Sequence, residues 1–129
     1  GRGYFTETEV DRVHAHIQSE MARSGVEFLK FYSAFEAPDQ PSRGRKPSPQ
    51  FLWDARDEFQ LDLPSSYMVG DKRIDLEAGW NAGVRRRFLV RTGYGAELER
   101  TEGSALNPGI VVDGWLQVAD WILNSRSND

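Results

Sequence analysis

The apolar positions of this chain alternate between a helical and an extended rhythm. After Thr6-Glu7-Thr8-Glu9, a Thr-x-x-Glu capping box, Val10, Val13, Ile17 and Met21 recur at spacings of three and four. That stripe predicts an amphipathic helix, with Gly25 placed to end it. Val26 to Ala34 is rich in β-branched and aromatic residues (Val26, Phe28, Leu29, Phe31, Tyr32) and predicts a strand. From Glu36 to Pro49, four prolines, one glycine and three basic residues predict an irregular loop.

Ser48-Pro49 predicts an N-cap followed by a first-turn proline, opening a helix with Phe51, Leu52, Ala55 and Phe59 on one face. Tyr67-Met68-Val69-Gly70 predicts a short buried strand with Asp71 at its carboxyl end. Asp75 to Ala82 predicts a helix stopped by Gly83, and Arg87 to Arg91 another strand. Thr92 to Pro108 is expected to be a long polar loop with three glycines. Ile110-Val111-Val112 predicts a last strand, and Asp113 should cap a helix bearing Trp115, Val118, Ala119 and Ile122. Strands alternating with helices predict an α/β fold, a mostly parallel sheet flanked by helices.

Composition narrows the function classes. At 129 residues and 14.7 kDa, one domain over 1–129 is expected. Sixteen Lys and Arg against twenty Asp and Glu give a net charge of −4 and a pI near 5.2, against a general nucleic-acid binder. The chain has no cysteine, which excludes disulfides, thiol catalysis and a zinc–cysteine site. No apolar run approaches the ~20 residues of a membrane span, so no membrane partner is expected. No signal-peptide pattern opens the chain, and the cytoplasm is the default location.

The strongest chemical constellation is Gly70-Asp71-Lys72-Arg73-Ile74-Asp75. Open α/β sheets place ligands just outside the carboxyl ends of their strands. Two carboxylates there, Asp71 and Asp75, suit a hard divalent cation such as Mg²⁺ or Mn²⁺, which takes one or two carboxylates and completes its shell with phosphate and water. The alternative is that Asp71 caps the helix and Asp75 is solvated on its first turn. Arg43, Arg45 and Lys46 offer charge to a phosphate, or form a solvated basic loop. His14 and His16 lie two apart on the predicted helix, hence on different faces, and do not suit one metal. Arg85-Arg86-Arg87 reads as a solvated strand entry, and Trp53, Trp80, Trp115 and Trp121 as packing.

Arg45-Lys46-Pro47-Ser48-Pro49, Tyr67-Met68-Val69-Gly70-Asp71-Lys72, Asp75-Leu76-Glu77-Ala78-Gly79, Asn81-Ala82-Gly83-Val84 and Arg91-Thr92-Gly93-Tyr94-Gly95 follow one another in order. Together they resemble the haloacid dehalogenase (HAD) superfamily of phosphatases. Within it they are most similar to the branch containing heptose-bisphosphate and histidinol phosphatases. The resemblance implies a Rossmann-like sheet, with Asp71 and Asp75 at a divalent metal and Asp71 and Lys46 in catalysis. It also implies that Lys46 stabilises phosphate, and that Arg45 and Lys72 help to hold a small phosphorylated substrate. Phe31 to Arg45 lacks the branch's zinc loop of cysteines and histidine, so no zinc–cysteine site is expected.

The superfamily's Asp-x-Asp nucleophile and acid/base pair belong upstream, on the first strand. The chain opens Gly1-Arg2-Gly3-Tyr4-Phe5, where the resemblance places residues just after that region. The expected sheet therefore lacks the family's first two strands, roughly forty residues by the length of two strand–helix units. In an order 3-2-1-4-5, the Val26–Tyr32 strand would be third, leaving two open edges and a homodimer to cover them. Three functions follow. One is a phosphatase whose first strands lie upstream of Gly1, acting on a sugar or amino-alcohol phosphate. Another is a metal-dependent phosphoester hydrolase of phosphatase or phosphodiesterase type, without a covalent intermediate. The third is a non-catalytic remnant that binds metal or phosphate or self-associates.

Overall fold

Thr6 opens the first helix as its spacing predicts: its Oγ1 accepts from the Glu9 N–H at 3.1 Å, while Glu9 Oε2 accepts the Thr6 N–H at 3.2 Å. The computed structural model describes residues 6–37, 39–106 and 109–126. The chain divides into two compact units, Gly1–Arg45 and Lys46–Asp129.

In the first unit, α1 (Glu7–Ala22) carries the predicted stripe, yet none of its residues is buried. Its end is closed by the N–H groups of Ser24 and Val26 on the Met21 carbonyl, with Gly25 at φ +77°. The strand predicted over Val26–Ala34 is not formed; the backbone there is irregular. Strand propensity records how well a side chain fits a pleated surface made with neighbours, and this segment pairs with none of the described strands. Its rings pack locally instead: Phe31 stacks on His14 with centroids 4.1 Å apart, and Phe28 tilts against Phe31 at 5.5 Å. Without that strand, one of the open edges invoked for a homodimer disappears. In this unit the described residues of the predicted Glu36–Pro49 loop are irregular as expected, with Ser42 Oγ donating to Glu36 and accepting from the Arg45 N–H.

The second unit holds a parallel sheet of three strands among the described residues: β1 (Tyr67–Gly70), β2 (Arg86–Val90) and β3 (Ile110–Val112), in that order. Tyr67 pairs with Arg86 and Gly70 with Leu89, while Phe88 pairs with Ile110 and Val90 with Val112. The central strand is covered on both faces, as its continuous apolar run requires. Phe88 and Val90 face Val118, Trp121 and Ile122 of α5 (Trp115–Arg126). Leu89 faces the other way, towards Leu76 of α3 (Arg73–Ala82) and Leu98 of α4 (Gly95–Glu102). A satellite cluster of Leu63, Ala82 and Val84 takes Leu52 and Trp53 from α2 (Gln50–Phe59).

Several boundaries differ from expectation: α3 begins at Arg73 rather than Asp75, and β2 spans Arg86–Val90 rather than Arg87–Arg91. The α2 helix begins one residue later than predicted, with Pro49 at the N-cap, although the Ser48 hydroxyl still accepts the Gln50 N–H at 3.2 Å. Thr92–Pro108 is not a long loop, because α4 and the short 3₁₀ helix Gly103–Leu106 occupy most of it. The mixed polarity of 95–102 concealed a helix that buries Gly95 and seats Leu98 under the sheet.

Arg91, just beyond β2, joins these pieces. Its Nε and Nη2 donate to the two oxygens of Glu99 at 2.8 and 3.0 Å, and its Nη1 donates to Asp113 at 2.7 Å. Asp113, predicted as a helix cap, thus spends an oxygen on Arg91. The hydrogen bonds from Arg91 hold the Glu99 carboxyl below its ordinary range. A depressed acid stabilises the fold above its ordinary value near 4.5 and loses that contribution as the pH falls through the folded value. Glu99→Gln should therefore make stability fall less steeply below about pH 4.5 than in the unaltered chain. Urea-unfolding midpoints across the acid range give the comparison, and parallel slopes would count against the pairing.

Candidate active site

β1 ends at Gly70, and a two-residue turn, Asp71-Lys72, leads into α3. Asp75, in the first turn of that helix, is buried with 4% of its surface exposed. Its Oδ2 accepts the N–H groups of Asp71 and Lys72, both at 3.1 Å. Its Oδ1 accepts from Lys46 Nζ. Lysine has no acceptor atom, so the bond from Lys72 N–H to Asp75 is a one-sided capping box. A carboxylate at this position also meets the positive end of the helix. Room for it exists because residue 70 is glycine: a Cβ there would lie 2.2 Å from Asp75 Oδ2.

Asp71 is half-buried at the strand end. Its Oδ2 accepts the Tyr94 N–H at 3.1 Å. The loop after β2 makes that approach through Gly93, at φ +61°, where a Cβ would fall 2.2 Å from the same oxygen. Asp71 Oδ1 has no hydrogen-bond partner among the described residues. Lys72 Nζ stands 4.9 Å from the centroid of the Tyr94 ring. Lys46, roughly half exposed along its side chain, is steadied by Asn81 Nδ2, which donates to the next carbonyl, Pro47 O, at 3.2 Å.

The structure therefore brings Lys46, Asp71, Lys72 and Asp75 to one end of the sheet. Arg45 belongs to the first unit, where its N–H donates to Ser42 Oγ at 3.1 Å and its buried Nε has no hydrogen-bond partner among the described residues. Sequence reasoning on spacing alone missed Tyr94. Its signal was an aromatic after a glycine at a strand's carboxyl end, the place where open sheets gather ligands.

For a divalent cation, the donor chemistry is sparse but suitable. Asp71 Oδ1 is a hard oxygen without a hydrogen-bond partner among the described residues, whereas both Asp75 oxygens are engaged. No cluster of three or more metal-ligating side chains occurs among the described residues. Magnesium tolerates this, because it often binds through one or two carboxylates and fills its shell with phosphate and water.

A family model described as HAD-hydrolase-like matches residues 44–117. The D-glycero-alpha-D-manno-heptose-1,7-bisphosphate 7-phosphatase of Photorhabdus laumondii is 34% identical over 113 residues, covering 82% of this chain and 61% of that protein. The D-glycero-beta-D-manno-heptose-1,7-bisphosphate 7-phosphatase of Escherichia coli K12 is 32% identical over 134 aligned residues, covering 98% of this chain and 62% of that protein. This chain thus spans about three fifths of the length of these relatives. Among solved structures, D,D-heptose 1,7-bisphosphate phosphatase from B. bronchiseptica, complexed with magnesium and phosphate, superimposes with a TM-score of 0.86 at 28% identity. That alignment covers 96% of this chain and 68% of the other. With a parallel α/β sheet, a carboxylate at the end of β1 and a family model matching more than half of its length, the chain belongs to the HAD-like hydrolases.

Proposed function

We propose that the site serves divalent-cation-dependent hydrolysis of a phosphate ester on a small phosphorylated sugar. One observation carries this reading: Asp71 Oδ1, a carboxylate oxygen without a hydrogen-bond partner among the described residues, shares a strand end with an ammonium, Lys46, held by a buried carboxylate. Relatives that act on heptose bisphosphates, and a similar structure complexed with magnesium and phosphate, support it.

Asp71 would contribute an oxygen to the cation. When bound, the cation supplies Lewis-acid stabilisation of phosphoryl oxygens. Lys46 offsets negative charge on the phosphoryl group as it transfers, and its link to Asp75 keeps it in place beforehand. Lys72 offers a second positive charge to the substrate. Asp75 acts on the reaction through its neighbours, by fixing Lys46 and the N–H groups of the turn. These residues do charge-stabilising and positioning work; attack at phosphorus is assigned to none of them.

Asp71→Ala should abolish Mg²⁺ binding in titration calorimetry, since it removes the one uncommitted carboxylate oxygen of the turn. Equal affinities in the variant and the unaltered chain would refute the assignment.

Asp75→Ala should instead cost about 2–4 kcal/mol of folding stability, because two N–H groups and an ammonium lose their acceptor. Asp75→Asn keeps an acceptor for the turn and should lose less. Denaturant titration ranks the two, and equal losses would mean that the N–H bonds contribute little.

Lys46→Ala should lower kcat/KM towards p-nitrophenyl phosphate by on the order of 10²-fold, the usual loss for one electrostatic contact in the transition state. Circular dichroism should remain native. Unchanged turnover would return Lys46 to a purely structural role beside Asp75.

A further inference from the structure

Tyr94 touches the site twice, by two different atoms. Its backbone N–H donates to Asp71 Oδ2 at 3.1 Å, and its ring lies 4.9 Å below the Lys72 ammonium. The residue is itself 65% exposed, so no packing need accounts for an aromatic residue there. The loop that carries it is fixed at both ends. Arg91 is clamped by Glu99 and Asp113 on one side, and α4 starts at Gly95 on the other. Gly93 brings the loop against the Asp71 carboxylate as no residue with a Cβ could.

Lys72 needs such a support. Its neighbour Asp71 points an oxygen to Tyr94 N–H, and Asp75 uses its oxygens on two N–H groups and Lys46. No ion pair from Lys72 to a carboxylate is formed among the described residues. A flexible lysine at a crevice mouth samples many rotamers, and ordering it on binding an anion has an entropic cost. An aromatic face attracts the ammonium without neutralising it, leaving its charge and N–H donors available to an anion.

We propose that Tyr94 is a positioning residue, whose ring pre-orders Lys72 for the anionic group of the substrate while its N–H orients Asp71. This rests on the reading of the site as one for a phosphorylated substrate. It adds a role for the loop after β2 in anion affinity.

The test uses the full chain, inorganic phosphate as probe, and Mg²⁺ at saturation. Proton–carbon NMR of the Lys72 ε-methylene reports the ring directly. Its protons should be shifted upfield in the unaltered chain and in Tyr94→Phe, and should return to ordinary lysine values in Tyr94→Leu. Phosphate affinity should fall about two- to fivefold in Tyr94→Leu, the scale of an exposed cation–π contact, with Tyr94→Phe restoring it. In a Lys72→Ala background, Tyr94→Leu should have no further effect, since the ring acts through the ammonium.

An unshifted Lys72 resonance, an undiminished affinity in Tyr94→Leu, or an equal loss in the Lys72→Ala background would each overturn the proposal. So would a parallel fall in Mg²⁺ affinity, which would show that the loop had moved and carried Asp71 with it. Failure of the unaltered chain to bind phosphate would remove the underlying reading as well. That outcome is read from the unaltered chain alone, and so is separate from any result for the variants.

Discussion

The carboxylate of Asp75 organises the end of the sheet. Leaving β1, the chain must turn into α3, and the first N–H groups of a helix have no partners within it. Asp75 takes two of the turn's N–H groups on one oxygen, which lets the backbone reverse direction next to a packed core. Burying a carboxylate is costly unless it is paired and hydrogen-bonded. Lys46, 29 residues earlier, provides the pairing charge on the other oxygen. The need to neutralise one buried acid thus places an ammonium beside Asp71, and the absence of a side chain at Gly70 makes room for that acid.

The second constraint is the double-sided burial of β2. Phe88 and Leu89 point to opposite faces, and neither has measurable exposure, so this strand cannot shift its register without exposing one of them. Its carboxyl end is pinned by Arg91, whose guanidinium binds carboxylates on α4 and on the turn before α5. Those groups are partly exposed, and such pairs contribute modest energy. Their consequence is geometric: they set where the 92–94 loop leaves the sheet, and hence where the Tyr94 N–H meets Asp71.

These two constraints meet at Asp71. One of its oxygens is held from the next strand's loop, its own N–H is held from the following helix, and the second oxygen has no hydrogen-bond partner among the described residues. Membership of the HAD-like hydrolases accords with a site at this position, because parallel sheets gather ligands at the carboxyl ends of their strands. The charge balance there is two ammonium groups with two carboxylates, one of which is fully engaged.

Much of this was legible in the sequence. Short apolar runs at 67–70, 87–91 and 110–112 marked the strands to within a residue, because a strand buried on both faces must be apolar throughout. The Thr6–Glu9 box and Gly83 marked helix ends, because capping uses local backbone groups and needs no distant partner. Asp71 followed from its place after a predicted strand. What depended on distant contacts was not legible. Val26–Ala34 has the composition of a strand, but a ladder requires a neighbour, and among the described residues it has none. The helix at 95–102 hid in a polar stretch, because Leu98 is its one large apolar side chain and Gly95, which packs against the sheet, has none. Spacing made Asp71 and Asp75 look alike; three-dimensional packing separated them, since burial and the ammonium of Lys46 occupy one carboxylate and leave the other an open oxygen. Local hydrogen-bond chemistry and hydrophobic period are written along the chain, whereas the state of a charge depends on what the fold brings against it.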